Sequence, residues 1–174
     1  MALRLTRTRT VALVAAVLVC VVAVWIWRDP MAPLRNGLAL QGWWIDLSGR
    51  QVVVGDHRWV YDTREADDPA APTVVLVHGF TGGKENWYPL ATRLRDRYRL
   101  VIPDLPGWGE SQRIDGADYG FKAQAARLGA FLRAIRRDGS PIVLVGHSMG
   151  GGIVAITAAE QPDLVARVAL IDAA

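Results

Sequence analysis

The sequence predicts an α/β fold: a mostly parallel sheet with helices on both faces, preceded by one transmembrane helix. Three observations carry this. From Thr73 onward, short apolar runs alternate with amphipathic stretches, the pattern of a parallel sheet wrapped by helices. Residues 11–27 are apolar except for Cys20. Finally, Val145-Gly146-His147-Ser148-Met149-Gly150-Gly151 places a serine between glycines where an apolar run gives way to a small-residue stretch.

The elements follow in chain order. Residues 1–28 form a basic segment and a membrane anchor. Val11 to Trp27 shows no polar face, unlike a soluble core helix, and meets the lower edge of the about 17–25 residues that cross a bilayer. It ends in Trp25-Ile26-Trp27-Arg28 without a small-residue cleavage site, so a retained anchor is expected rather than a cleaved signal. Arg4, Arg7 and Arg9 precede it, whereas Arg28 and Arg35 follow with Asp29 between. That bias puts the N-terminus in the cytoplasm and the body outside, as for a bacterial inner-membrane protein.

Residues 29–48 read as a linker in which Asp29-Pro30 and Ala32-Pro33 stop the helix. Trp43 and Trp44 lie in an apolar knot there, Gly42 to Ile45; they either cover the base of the domain or lie in the membrane interface. Residues 49–174 form the main domain. Gln51–Val54 and Arg58–Tyr61 flank Gly55-Asp56-His57 as a hairpin. Thr73–Val77, Leu100–Pro103, Ile142–Val145 and Arg167–Ile171 are continuous apolar runs, as in strands buried on both faces. Trp87, Leu90, Ala91 and Leu94 give a helical stripe over Asn86–Arg97, and Phe121, Ala125, Leu128, Leu132 and Ile135 give a second. Asp138-Gly139-Ser140-Pro141 ends that second helix. Met149–Ala159 is a third, rich in small residues.

Composition excludes some functions. The net charge of +3 over 174 residues, with no basic run in the body, gives no reason to expect nucleic-acid binding. Cys20 is the sole cysteine, which excludes intrachain disulfides and multi-cysteine metal sites. No cofactor is expected, and nothing bears on oligomeric state.

In such sheets, function sits in loops at the carboxyl ends of strands. Gly146-His147-Ser148-Met149-Gly150 matches G-x-S-x-G between a strand and a helix, which marks Ser148 as a nucleophile projecting above the sheet. Side chains at Gly146 and Gly150 would collide with neighbouring backbone. The helix beginning at Met149 aims its amides and positive dipole end at the serine. His78-Gly79-Phe80-Thr81-Gly82-Gly83 follows a strand at the position that donates one oxyanion amide, and the residue after the nucleophile donates the other. That assigns the backbone amides of Phe80 and Met149. Asp104-Leu105-Pro106-Gly107-Trp108-Gly109-Glu110-Ser111 reads as a shape-determining turn, because Asp104 precedes the serine and so falls outside the Ser, acid, His order.

Together L-V-H-G-F-T-G-G-K-E-N-W, D-L-P-G-W-G-E-S and V-G-H-S-M-G-G resemble the α/β-hydrolase superfamily over Gln51 to Ala174. Within it they are similar to lipases and esterases of the monoacylglycerol-lipase type, many of which carry an N-terminal membrane segment. The resemblance implies an acyl-serine mechanism on carboxylic esters, with lipid-like substrates and the bilayer as partner through the N-terminal helix. It also implies that His78 holds the oxyanion loop, with Gly79, Gly146, His147 and Gly150 supporting loop and turn.

The partners of Ser148 are harder to place. Only His57, His78 and His147 exist, and none follows it. His147 adjoins the serine but is expected to point away, and His78 as a replacement base is the weaker reading. After Ser148 the acids are Glu160, Asp163 and Asp172. Asp172 ends a strand and is a possible acid, although members resembling this chain place theirs after the next strand. The domain is therefore expected to be incomplete at its C-terminus and the 174-residue chain to be inactive by itself. Two further readings stay open: a carbon–carbon bond hydrolase or cofactor-free haloperoxidase of the same superfamily, and a non-catalytic, membrane-tethered binding module.

Overall fold

A computed structural model describes residues 7–137 and 142–174. Arg4 and the stop at Asp138-Gly139-Ser140-Pro141 lie outside the described residues. The chain divides into two compact units, Met1–Leu40 and Gln41–Ala174.

In the first unit, helix α1 runs Arg7–Arg28. Its Arg9–Arg28 portion, 20 residues, is long and apolar enough to cross a membrane. It stops before Asp29-Pro30, where Asp29 N still donates to Trp25 O at 3.1 Å. Residues 29–48, expected to be a linker, contain a second helix, α2, over Ala32–Trp44. Pro33 does not break it, because a proline in the first turn lacks only an N–H that has no helical partner there. The C-terminal end of α2 belongs to the second unit. There Asp46 takes a left-handed φ of 59° and closes the helix. Ile45 is fully buried, whereas Trp43 and Trp44 are 76% and 72% exposed.

The rest of the second unit is a six-stranded sheet. Strands β1 (Ser48–Val54) and β2 (His57–Arg64) form the expected hairpin, with Val54 paired to His57 across a two-residue turn. Then come β3 (Thr73–Val77), β4 (Arg99–Pro103), β5 (Ile142–His147) and β6 (Val165–Ile171). The order is β1-β2-β4-β3-β5-β6. The hairpin joins β4 antiparallel, and β4, β3, β5 and β6 run parallel.

On one face, Val75, Val77, Val101 and Leu144 pack with residues of α4 (Phe121–Ile135) and α5 (Met149–Glu160). The stripe of α4 points inward at Ala125, Leu128, Leu132 and Ile135, while Phe121 stays partly exposed. Trp59 stacks on Phe131 with ring centroids 4.5 Å apart; a fully buried side chain of this size contributes roughly 1.5–3 kcal/mol.

On the other face lies α3 (Tyr88–Leu94), preceded by a 3₁₀ turn, Lys84–Trp87. The α-helix is shorter than the expected Asn86–Arg97, because Pro89 sits in its first turn and the chain before it winds more tightly. Strand β6 is found close to its expected bounds, Arg167–Ile171. Its sequence has the buried type, yet six of its seven residues are exposed, since β5 is its one neighbour in the described sheet.

Candidate active site

β5 ends at His147 and α5 begins at Met149, so the reversal falls on Ser148 alone. Its φ and ψ are 50° and −123°, a left-handed conformation that costs a non-glycine residue about 1–3 kcal/mol. The surroundings hold it there. Ser148 N donates to Ile171 O at 3.0 Å, and Ser148 O accepts from Gly151 N at 2.8 Å and Ala174 N at 3.1 Å. The hydroxyl makes no cap hydrogen bond to α5. The flanking glycines are required by contact. A Cβ on Gly146 would stand 2.4 Å from Gly150 O, and one on Gly150 would stand 2.3 Å from His78 O.

The loop after β3 lies against this turn. A Cβ placed on Gly79 would sit 3.2 Å from Ser148 Cβ and 3.1 Å from His147 Nδ1. Phe80 is exposed, its ring edge-to-face with Trp108 at 6.2 Å. Among the described residues, neither Phe80 N nor Met149 N donates a backbone hydrogen bond. Two unspent amides therefore lie on the loop and on the first residue of α5, where a helix leaves its leading N–H groups without internal acceptors.

His78 is buried and both ring nitrogens are engaged. Nδ1 lies 2.8 Å from Gly79 O, and Nε2 accepts from Leu105 N at 3.0 Å. The imidazole is thus the Nδ1–H tautomer, and burial holds its pKa below the ordinary 6.5. This arrangement ties the loop to the end of β4 and leaves no lone pair to receive a proton from Ser148.

The other end of the same loop is tied to the adjacent residue. Lys84 N and Glu110 N each donate to the Asp104 carboxylate at 2.8 Å. The Lys84 ammonium is buried among Glu110, Glu85 at 3.4 Å and Asp104 at 3.5 Å. Burial opposes its charge, yet these carboxylates hold its pKa above the ordinary lysine value. Asp104 thus builds the turn, as its sequence position implies. Next to it Tyr88 donates to Asp62 at 2.6 Å. Burial, then this bond, raises the pKa of Tyr88; burial raises that of Asp62 against it.

Sequence reasoning missed Lys84 and Asn86, whose Oδ1 accepts from Gly83 N at 2.7 Å. Their signal lay in K-E-N-W, within the loop motif but before the helical stripe.

The remaining candidates sit at the rim. His147 is exposed and, with Gly79, Phe80, Thr81, Asn86, Trp87 and Ile171, borders a cavity of about 340 Å³. Its ring is nearer the loop than a strict strand alternation implies, because the strand gives way to the turn at that residue. Asp172, just past β6, is exposed with φ 42°. His57 is buried in the hairpin, 2.6 Å from Asp56 and 3.3 Å from Tyr119 Oη. Among the described residues, no three His, Cys, Asp or Glu side chains gather as metal ligands.

Residues 72–174 match a family model described as the alpha/beta hydrolase fold. Lipase 1 of Psychrobacter immobilis is 41% identical over 75% of this chain and 39% of its own length. Monoacylglycerol lipase abhd6-B of Xenopus laevis is 30% identical over 74% of this chain and 39% of its own. The crystal structure of a membrane phospholipase A, a bacterial virulence factor, superposes with a TM-score of 0.77 at 34% identity, covering 95% of this chain and 52% of that one. The chain thus spans about two fifths of the length of the curated relatives it matches.

Proposed function

Because the chain belongs to the α/β-hydrolase family, we propose that it carries the nucleophile of a serine hydrolase acting on carboxylic esters, with lipid-like substrates. The observation that carries this reading is Ser148 itself, held at φ 50° at the start of α5 with its hydroxyl unspent. In the proposed reaction, the Ser148 hydroxyl attacks the ester carbonyl, and the developing oxyanion is received by the amides of Phe80 and Met149. A donor of this kind lowers the barrier by about 2.7–4 kcal/mol. Collapse releases the alcohol and leaves an acyl-serine, which water then hydrolyses to the acid. His78 and Asp104 hold the loop that carries Phe80.

The lipase and monoacylglycerol-lipase relatives support the lipid-like substrate class. Helix α1 is proposed as a retained anchor with its N-terminus in the cytoplasm and the hydrolase body outside.

The test is covalent labelling. In a polypeptide long enough to supply an acid and a histidine after Ser148, a fluorophosphonate probe should label one serine, and Ser148→Ala should abolish the label. Turnover should fall on the order of a million-fold in that variant if nucleophile and base act as a unit. Undiminished labelling of Ser148→Ala would sink the assignment.

A further inference from the structure

We infer that the C-terminal end of α2 is a membrane-interface segment: the exposed side chains of Trp43 and Trp44, in the second unit, sit in the headgroup layer of a lipid bilayer. This rests on the anchor reading of α1. At 3.6 residues per turn, the two adjacent side chains lie about 100° apart, and they are 76% and 72% exposed. Two adjacent tryptophans so open to solvent are not covering the base of the second unit; Ile45 does that, fully buried. Tryptophan, with an apolar body and a polar N–H, is the side chain that favours the boundary between acyl chains and water.

Covalent reach supports the bilayer as occupant. Only residues 29–31 separate Arg28, the end of α1, from Ala32. The four Cα–Cα steps from Arg28 to Ala32 extend at most about 14 Å, so α2 starts within that distance of the end of the span.

The end of α2 is also closed, with no backbone carbonyl left for the headgroup layer to satisfy. All of its last four carbonyls have donors. Gln41 O accepts from Ile45 N at 3.2 Å, Gly42 O from Leu47 N at 3.0 Å and Trp43 O from Asp46 N at 3.0 Å. Trp44 O accepts from the Arg95 guanidinium at 2.9 Å. The bonds from Asp46 and Leu47 form a Schellman cap with Asp46 as its left-handed residue. The two tryptophans therefore stand on a closed, rigid helix end. Arg35 is the one charged residue of α2, which suits a helix lying in an interface.

The full chain, reconstituted in phosphatidylcholine vesicles brominated near the headgroup, tests this by tryptophan quenching. Lipid quenching should reach Trp25, Trp27, Trp43 and Trp44 and spare the buried Trp59 and Trp87. Trp43→Phe/Trp44→Phe should remove roughly half of the lipid-quenched emission while leaving acrylamide quenching from the aqueous side nearly unchanged. Both side chains are exposed, so the variant keeps its fold, which circular dichroism checks. Loss of acrylamide-quenched emission instead, with lipid quenching unchanged, would show tryptophans facing water and overturn the inference. Tryptophans that lose both kinds of quenching as the protein-to-lipid ratio rises would assign the face to a second copy and overturn it too. If Trp25→Phe/Trp27→Phe also leaves lipid quenching unchanged and carbonate strips the chain from vesicles, the anchor reading has failed together with this one. Carbonate-resistant chain whose Trp43 and Trp44 are not lipid-quenched would sink the α2 inference alone.

Discussion

At the scale of the residue, the serine turn shows which positions leave a trace in sequence and which do not. Gly146 and Gly150 are legible because only hydrogen fits where they stand. Gly150→Ala should put a methyl group 2.3 Å from His78 O and 2.5 Å from Val77 O, with no flexible side chain to yield. Overpacking of this kind costs about 1–3 kcal/mol, and the thermal midpoint should fall accordingly by calorimetry. His78 makes a second, pH-dependent prediction. Burial lowers its folded-state pKa below 6.5. Above that pH both states hold it neutral, and its contribution is fully present. As pH falls through 6.5, the unfolded chain takes up a proton that the folded chain refuses, so stability drops until the folded-state pKa is passed. Urea midpoints from pH 7.5 to 5 should fall in the wild type and fall less steeply in His78→Gln; equal slopes would show that His78 is not the group. Lys84 was not legible. Lysine is almost always exposed, and nothing in one dimension shows that Asp104, Glu85 and Glu110 converge on it.

At the scale of the element, the central strands were readable because burial on both faces leaves an uninterrupted apolar run. β3 matches its expected bounds, Thr73–Val77. β6 carries the same buried-type signal, although six of its seven residues are exposed in the described sheet, as an incomplete domain implies. Leu170 is 52% exposed there. In a polypeptide of these 174 residues, where β5 is the one neighbour of β6, Leu170→Lys should change stability by no more than about 0.5 kcal/mol and should raise the concentration at which light scattering detects aggregates, because charge on an unpaired strand discourages strand-to-strand pairing. Faster aggregation of that variant would show that this strand is not the adhesive surface. Helix lengths were less legible than strands. Pro89 lies within the stripe Trp87-Leu90-Ala91-Leu94 and trims α3, while Pro33 opens α2 rather than ending α1. In both cases a proline's effect depends on which turn it enters, which periodicity does not reveal. For α1, carbonate-washed membranes should retain the chain, and a mature N-terminus near Met31 would mark a cleaved signal instead.

At the scale of the whole molecule, the fold class and the place of the strained serine turn were legible, while no acid or base for the proposed nucleophile was. The 174 residues contain three histidines. His78 has both nitrogens bound to backbone, His57 bonds Asp56 and Tyr119, and among the described residues His147 makes no hydrogen bond to Ser148. These residues alone should therefore hydrolyse p-nitrophenyl butyrate no faster than an oxyanion site without its base, about 10³–10⁴-fold over water and far below enzyme rates. Turnover that disappears in His78→Ala would make His78 the base and overturn that view. The backbone bonds between Ser148 and residues 171 and 174 also impose an order in time. During synthesis the serine turn leaves the ribosome before Ile171 and Ala174, which lie more than twenty positions later. At about 5–20 residues per second, the turn waits on the order of seconds for the carbonyl and amide that hold its dihedral angles. Until then only the bonds within the turn itself, from Gly151 N and Gly152 N to Ser148 O, favour the left-handed serine, so the full set of bonds that holds it is completed late, and a pause in that interval would prolong the less constrained turn.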